Sequence, residues 1–187
     1  MKGILASGNA HKLKELAASM PHWQLELLGP REFPPEDGET YVDNARSKAE
    51  FGRTLTPDDS WAIGEDSGIE VDGLDGRPGV HSARFAAGHP VERLLEALAD
   101  IAGEGRRARY VCELVALDDD GRELRGTGTL EGRITTAPRG SEGFGYDPVF
   151  VPDGEERTVA ELGNAWKTRN SHRARAAAAL DAAGRLH

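Results

Sequence analysis

The sequence predicts an α/β or α+β fold, a mixed β-sheet flanked by helices. Short apolar runs alternate with stretches of helical periodicity, the order that builds strands joined by crossovers. Two longer strand-like runs are joined by the acidic turn Asp118-Asp119-Asp120-Gly121, which adds a hairpin. At 187 residues the chain suits one generous domain, or two lobes sharing a sheet, with a sizeable core.

The first strand runs from Gly3 to Ala6 and ends in the turn Ser7-Gly8-Asn9. Leu13, Leu16, Ala17 and Met20 then recur at helical spacing until Pro21 stops the helix. A second strand spans Trp23 to Leu28, and Pro30 to Glu39 reads as loop. Thr40 caps a helix running through Ala45 and Ala49, with Asp43 completing a capping box. The run Trp61-Ala62-Ile63 leads as a strand into Gly64-Glu65-Asp66-Ser67-Gly68, where Gly68 lets the backbone turn sharply. Ile69-Glu70-Val71 alternates as a separate short strand, and Gly73 to Gly79 is an irregular loop. Val91, Leu94, Leu95, Leu98 and Ile101 mark an amphipathic helix. The hairpin strands run from Tyr110 to Leu117 and from Glu123 to Ile134. Val149-Phe150-Val151 is a further strand, and Ala174 to Leu186 an Ala-rich terminal helix.

Composition narrows the function. The apolar content of 38% and charged content of 29% fit a soluble globular protein. A net charge of -9 argues against a nucleic-acid polymer as partner, because sequence-independent binding needs a basic footprint. It leaves room for a small anion held by a local group of Lys, Arg and helix N-termini. Cys112 is the one cysteine, so no intrachain disulfide forms, and its apolar surroundings predict an inert packed thiol. Met1 to Ala6 is too short an apolar run for a signal peptide, and no segment reaches the ~20 apolar residues of a membrane span. A cytoplasmic, reducing location is the simplest expectation.

Five segments carry chemistry. In Gly64-Glu65-Asp66-Ser67-Gly68, adjacent acids on a strand face opposite ways. One carboxylate then holds a hard cation or activates water while the other supports or co-ligates. The plain alternative is a solvated turn at a strand end. Ser7-Gly8-Asn9-Ala10-His11-Lys12 joins a strand to a helix whose N-terminal amides and Lys12 attract phosphate; alternatively Ser7 or Asn9 only caps that helix. Phe144-Gly145-Tyr146-Asp147, preceded by Gly143, can stack a planar ring and bring backbone amides to it, or can serve as an aromatic-anchored turn. Lys167 to Arg173 leads into the last helix, with Ser171 as N-cap and His172 and Arg173 in a first turn that disfavours cations unless an anion is near. Arg84 follows the loop after the acids and can reach the same cleft, whereas His81 reads as a surface or supporting residue. Together these fit a nucleotide whose phosphates meet Mg²⁺, Lys and Arg while its base stacks.

The order of these motifs resembles the inosine/xanthosine triphosphate pyrophosphatases over nearly the whole chain. The matching segments are Ser7-Gly8-Asn9-Ala10-His11-Lys12, Gly38-Glu39-Thr40-Tyr41-Val42-Asp43-Asn44-Ala45, Glu65-Asp66-Ser67-Gly68 and Pro78 to Phe85. Phe144-Gly145-Tyr146-Asp147-Pro148 and Ala160-Glu161-Leu162, with Lys167 and Ser171-His172-Arg173, complete the set. The resemblance implies hydrolysis of ITP, dITP and XTP to the monophosphate and pyrophosphate by one domain over residues 1–187. It implies an elongated mixed sheet in two lobes with a central cleft, and a homodimer. Asp66 takes the place of catalytic base and Mg²⁺ ligand, Ser7 to Lys12 face phosphate, and Ser67 adds a substrate contact. Phe144 to Asp147 read the base, with Lys167, His172 and Arg173 as further contacts. A donor such as His172, Arg173 or a loop amide would select the C6 carbonyl of hypoxanthine and xanthine. The chain departs from the family where a metal-binding Glu precedes the glycine matching Gly38: Pro35 stands there, with Glu36 beside it. Glu36 or Glu65 is then the second metal ligand. A house-cleaning pyrophosphatase for modified pyrimidine nucleotides and a non-catalytic nucleotide sensor are the alternatives.

Overall fold

The computed structural model describes residues 1–86 and 88–185. Among them seven strands form one sheet: β1 (Lys2–Leu5), β2 (Gln24–Leu27), β3 (Trp61–Val71), β4 (Pro78–Gly79), β5 (Arg107–Leu117), β6 (Glu123–Ile134) and β7 (Phe150–Pro152). The order is β2-β1-β3-β5-β6-β7, with β4 paired to β3. β1 runs parallel to β2 and β3, whereas the β3–β4 and β6–β7 pairs are antiparallel, so the sheet is mixed as the sequence predicts. The helices are α1 (Ala10–Ser19), α2 (Tyr41–Arg53), α3 (Ser82–Ala86), α4 (Pro90–Ala97), α5 (Val159–Leu162), α6 (Asn164–Asn170) and α7 (His172–Arg185). No helix among the described residues is long and apolar enough to cross a membrane.

The chain forms two compact units. One comprises Met1–Asp66, Cys112–Gly128 and the described residues from His172 on; the other comprises Ser67–Val111 and Thr129–Ser171. In the first, Leu5 of β1, Ile63 of β3 and Cys112, Leu114 and Ala116 of β5 share a core with Leu16 and Met20 and with Ala176, Ala177 and Leu180 of α7. Small residues set how closely its helices approach the sheet. A Cβ on Gly64 would stand 1.8 Å from the carbonyl oxygen of Ala45, so α2 lies directly on β3. A Cβ on Gly126 or Gly128 would stand 2.2 Å from the carbonyl oxygen of Ala176 or 2.1 Å from that of His172, which brings the Ala-rich α7 onto β6. In the second unit Ile69, Val71, Leu94, Leu98, Tyr110, Leu130 and Phe150 form the core, with Tyr110 and Phe150 rings 4.5 Å apart.

The capping box of α2 forms as expected, with Thr40 accepting from the Asp43 amide and the Asp43 carboxylate accepting from the Thr40 amide. One expectation is overturned. Residues 61–71 make a single eleven-residue strand, so the acids sit mid-strand rather than in a turn between two short strands. Gly68 carries no positive φ and makes no sharp turn there. Apolar residues flank the acids on both sides, which lets β3 continue through them once each carboxylate is partnered. The loop expected over Gly73 to Gly79 holds a 3₁₀ turn at Asp72–Leu74 and then β4. The helix expected to reach Ile101 ends at Ala97, and Ile101 packs on the same core from beyond it. The predicted end of the terminal helix, Leu186, lies outside the described residues.

Candidate active site

The acids of β3 face opposite ways, as strand geometry requires, and each meets its own set of partners. Glu65, 2% exposed, receives Lys12 of α1 and Arg173 of α7, with Arg173 Nε 3.0 Å from Glu65 Oε1. The same guanidinium donates from Nη1 to Glu15 Oε2 at 2.5 Å. Cys112 Sγ approaches Glu65 Oε1 at 3.7 Å. Burial opposes the Glu65 charge, yet Lys12, Arg173 and Lys48 outweigh it and hold the carboxyl well below its ordinary range. Burial also opposes the Arg173 charge, and Glu65 and Glu15 more than restore it. Burial next to Glu65 pushes the Cys112 thiol well up, so it is the inert thiol that the sequence predicts.

Asp66 faces α2. Asn44 Nδ2 donates to Asp66 Oδ2 at 3.0 Å, and Lys48 Nζ lies 3.4 Å from Asp66 Oδ1. Lys48 also donates to the Glu65 carbonyl at 2.9 Å and pairs with Glu36. Burial raises the Asp66 pKa, and the attraction of Lys48 and the Asn44 hydrogen bond only partly counter it. Asp66 is therefore the more readily protonated of the two acids, the property asked of a base that takes a proton near neutrality. Burial also opposes the Lys48 charge, but Asp66, Glu65 and Glu36 raise its pKa and keep it charged.

A cleft of about 250 Å³ opens over this arrangement, lined by Ser7, Gly8, Lys12, Phe33, Glu36, Lys48 and Glu65 among others. Asn9 is the N-cap of α1: its side chain accepts from the amides of His11 at 2.9 Å and Lys12 at 3.3 Å, while Ser7 Oγ accepts from the Asn9 amide at 3.0 Å. Two first-turn amides are thus spent on the cap. Ser7, Gly8 and the ammonium of Lys12 face the cleft, while Asn9, Ala10 and His11 shape the turn that presents them.

In the second unit Asp147 organises the aromatic loop. Its Oδ2 accepts from the Phe144 amide at 2.8 Å and from Lys167 Nζ at 2.7 Å, and Tyr110 donates its hydroxyl to Oδ1 at 3.3 Å. Gly143 and Gly145 take positive φ, which bends the loop around this carboxylate. Lys167 Nζ lies 3.8 Å from the centre of the Phe144 ring, which is 37% exposed. Tyr146 is buried in the core instead, and its hydroxyl donates to the Ser82 carbonyl at 3.0 Å. Burial pushes that phenol up to about 12. Of the two aromatics, Phe144 offers a ring to solvent. Ser67 belongs to this unit as well, half-buried in β3. Arg84 sits on α3 with Nη2 2.7 Å from His81 Nδ1, both exposed.

His172 and Arg173 open α7 as predicted, but both are buried. The anion that offsets Arg173 is supplied from within, by Glu65 and Glu15. Glu36 and Asp66 converge on one ammonium, that of Lys48, and their hard carboxylate oxygens are the donors a hard divalent cation takes. Among the described residues no three His, Cys, Asp or Glu side chains gather as a ready metal cage. The donor set therefore suits a cation that keeps several waters and shares substrate oxygens.

Asn44 and Lys48 are members of this site that motif reading passed over as site residues. They stand four apart on α2, on the buried stripe with Tyr41, Ala45 and Ala49. An amide and an ammonium interrupting an otherwise small and apolar stripe is the signal that marks them.

A model of the Ham1 family matches residues 3–183. A dITP/XTP pyrophosphatase of Opitutus terrae is 45% identical, with 99% of each chain covered. Another, of Bdellovibrio bacteriovorus, is 40% identical over 92% of each chain. Among solved structures, a HAM1 protein from Coxiella burnetii is 30% identical with a TM-score of 0.86 over the whole of both chains. A nucleoside-triphosphatase / dITP/XTP pyrophosphatase from Mycobacterium abscessus is 39% identical with a TM-score of 0.75, covering 96% of this chain and 97% of that one.

Proposed function

The chain belongs to the Ham1 family, and from that premise we propose that it hydrolyses dITP, ITP and XTP to the nucleoside monophosphate and pyrophosphate. The observation that carries this reading is the cleft of the first unit. There, Lys12, Lys48, Glu36 and Glu65 line a space of about 250 Å³, and the lining Lys48 reaches behind it to Asp66, the acid whose pKa burial raises.

Lys12 and Lys48, with Ser7 and Gly8, hold the triphosphate. Both lysines are partnered by carboxylates, so an arriving phosphate exchanges one ion pair for another rather than meeting bare cations. Asp66 is the base: it takes a proton from the water whose oxygen attacks the α-phosphorus, while the bond to the β-phosphate oxygen breaks and pyrophosphate leaves. Asp66 and Glu36 would hold Mg²⁺, the cofactor of this reading, which would neutralise phosphate charge and lower the pKa of water. Glu65 is a support, which fixes Lys12 and Arg173. Phe144 is the stacking platform for the base, and Asp147 with Lys167 fixes the loop that carries it. His172, Arg84 and Ser67 are further substrate contacts in this reading. A homodimer in the cytoplasm completes it.

A panel of ITP, dITP, XTP, ATP, GTP and modified pyrimidine triphosphates, with products identified by chromatography, tests the reading. The expected result is monophosphate plus pyrophosphate from the deaminated purines, at rates well above those for ATP and GTP. Asp66→Asn should lower turnover about 10³-fold while ITP still binds. Orthophosphate as product, or equal rates across the panel, would overturn the assignment; preferred pyrimidines would shift it to the related house-cleaning chemistry. Binding without turnover would make the chain a nucleotide sensor.

A further inference from the structure

Asn44 is 2% exposed and makes a hydrogen bond from each end of its amide. Its Oδ1 accepts from the Gly38 amide at 2.9 Å, and its Nδ2 donates to Asp66 Oδ2 at 3.0 Å. The amide orientation is forced, because a backbone N–H can only donate and a carboxylate can only accept. The contact is also tight: a Cβ on Gly38 would stand 2.7 Å from Asn44 Oδ1. One side chain therefore joins the loop that carries Glu36 to the carboxylate that β3 carries.

We propose that Asn44 is a positioning residue that divides the labour of the two Asp66 oxygens. Oδ2 is anchored by Asn44, and Oδ1, which faces Lys48, is the oxygen that works on the substrate side. Two further features support this assignment. Asn44 and Lys48 are four residues apart on one helix, so the anchor and the cation reach Asp66 from the same rigid element. That element cannot slide, because the backbone of α2 lies against Gly64, two residues before Asp66 in β3. An aspartate has few rotamers, and a hydrogen bond to one oxygen fixes the direction of the other. Asn44 acts through Asp66 and touches no substrate. The assignment rests on the proposed hydrolysis with Asp66 as base.

Asn44→Ala removes both hydrogen bonds and introduces a residue that favours helix, and Asn44→Asp keeps the acceptor for Gly38 but removes the donor to Asp66. With ITP as substrate, both variants should lose about 10²-fold in kcat, the cost of a misplaced catalytic group, with KM within about threefold of the native enzyme. Crystals of Asn44→Ala should show the Asp66 carboxylate turned from its native rotamer. A folded variant with native kcat overturns the proposal. So does a raised KM with kcat intact, which would make Asn44 a substrate-holding group, and so does an unmoved Asp66 carboxylate in the Asn44→Ala crystals. If Asn44→Ala fails to fold, the isosteric Asn44→Asp decides by the same kinetics. If the native protein leaves ITP intact, the activity reading falls, and the crystal readout still decides whether Asn44 orients Asp66.

Discussion

Arg173 shows how one residue can satisfy a sequence signal for a reason the sequence does not contain. A cation in the first turn of a helix demands an anion, and the motif suggests that the anion is the substrate. In the structure the demand is met by Glu65 and Glu15, at 3.0 and 2.5 Å. Arg173→Met should therefore strand a buried carboxylate and lower the unfolding free energy in urea by about 3 kcal/mol. Lys12 still faces Glu65 in that variant, which keeps the loss from being larger. A variant of native stability with a raised KM for ITP would return Arg173 to the substrate. The same contrast separates Phe144 from Tyr146. The sequence places both in the base-reading loop, yet only the fold decides that Tyr146 lies in the core and Phe144 shows its ring. A glycine turn, a lysine and an acid pair singled out Ser7, Gly8, Lys12 and Asp66 in the sequence, and the fold sets the first three around one cleft and Asp66 against Lys48. Asn44 was legible only as part of a motif, since Asp66, the carboxylate it meets, lies 22 residues away.

Elements were easier to read than their junctions. The capping box of α2, its start at Tyr41 and the hairpin turn after β5 follow from side chains within a few residues of one another. β3 did not, because local acidity suggested a break where the chain continues as strand. What sustains it is tertiary: Lys12, Lys48, Asn44 and Arg173 all arrive from helices to partner the two carboxylates. The helices can come so near because β3 and β6 carry glycine where they cross. Gly64→Ala places a methyl 1.8 Å from the Ala45 carbonyl oxygen, inside van der Waals contact with backbone. The expected cost is about 3 kcal/mol or more, read as a drop in thermal midpoint, with kcat falling as α2 and its Asn44 and Lys48 are pushed off β3. Native stability in Gly64→Ala would mean that α2 packs on the sheet more loosely than these distances state.

At the scale of the molecule, the mixed sheet flanked by helices follows from the alternation of apolar periods and the hairpin. The partition of the chain does not: it passes from one compact unit to the other at Asp66–Ser67, in the middle of an unbroken strand. No linker composition marks such a boundary. The continuity of β3 has a consequence in time. Its residues 61–63 pair with β1, and β5 is its neighbour on the other side, so the amides of this stretch are released only when the sheet itself opens. Glu36, in contrast, is carried by the residues between β2 and α2, which form no strand or helix. Native-state hydrogen exchange should then show two clocks within one cleft. Amides of Ala62 to Asp66 should exchange at the rate of global unfolding, and those of residues 31–37, short of the Gly38 amide that Asn44 holds, orders of magnitude faster. Equal rates would deny the distinction. On this basis Asp66 keeps its place through every excursion short of unfolding, and in the proposed reading adaptation to each incoming nucleotide falls to the wall that carries Glu36.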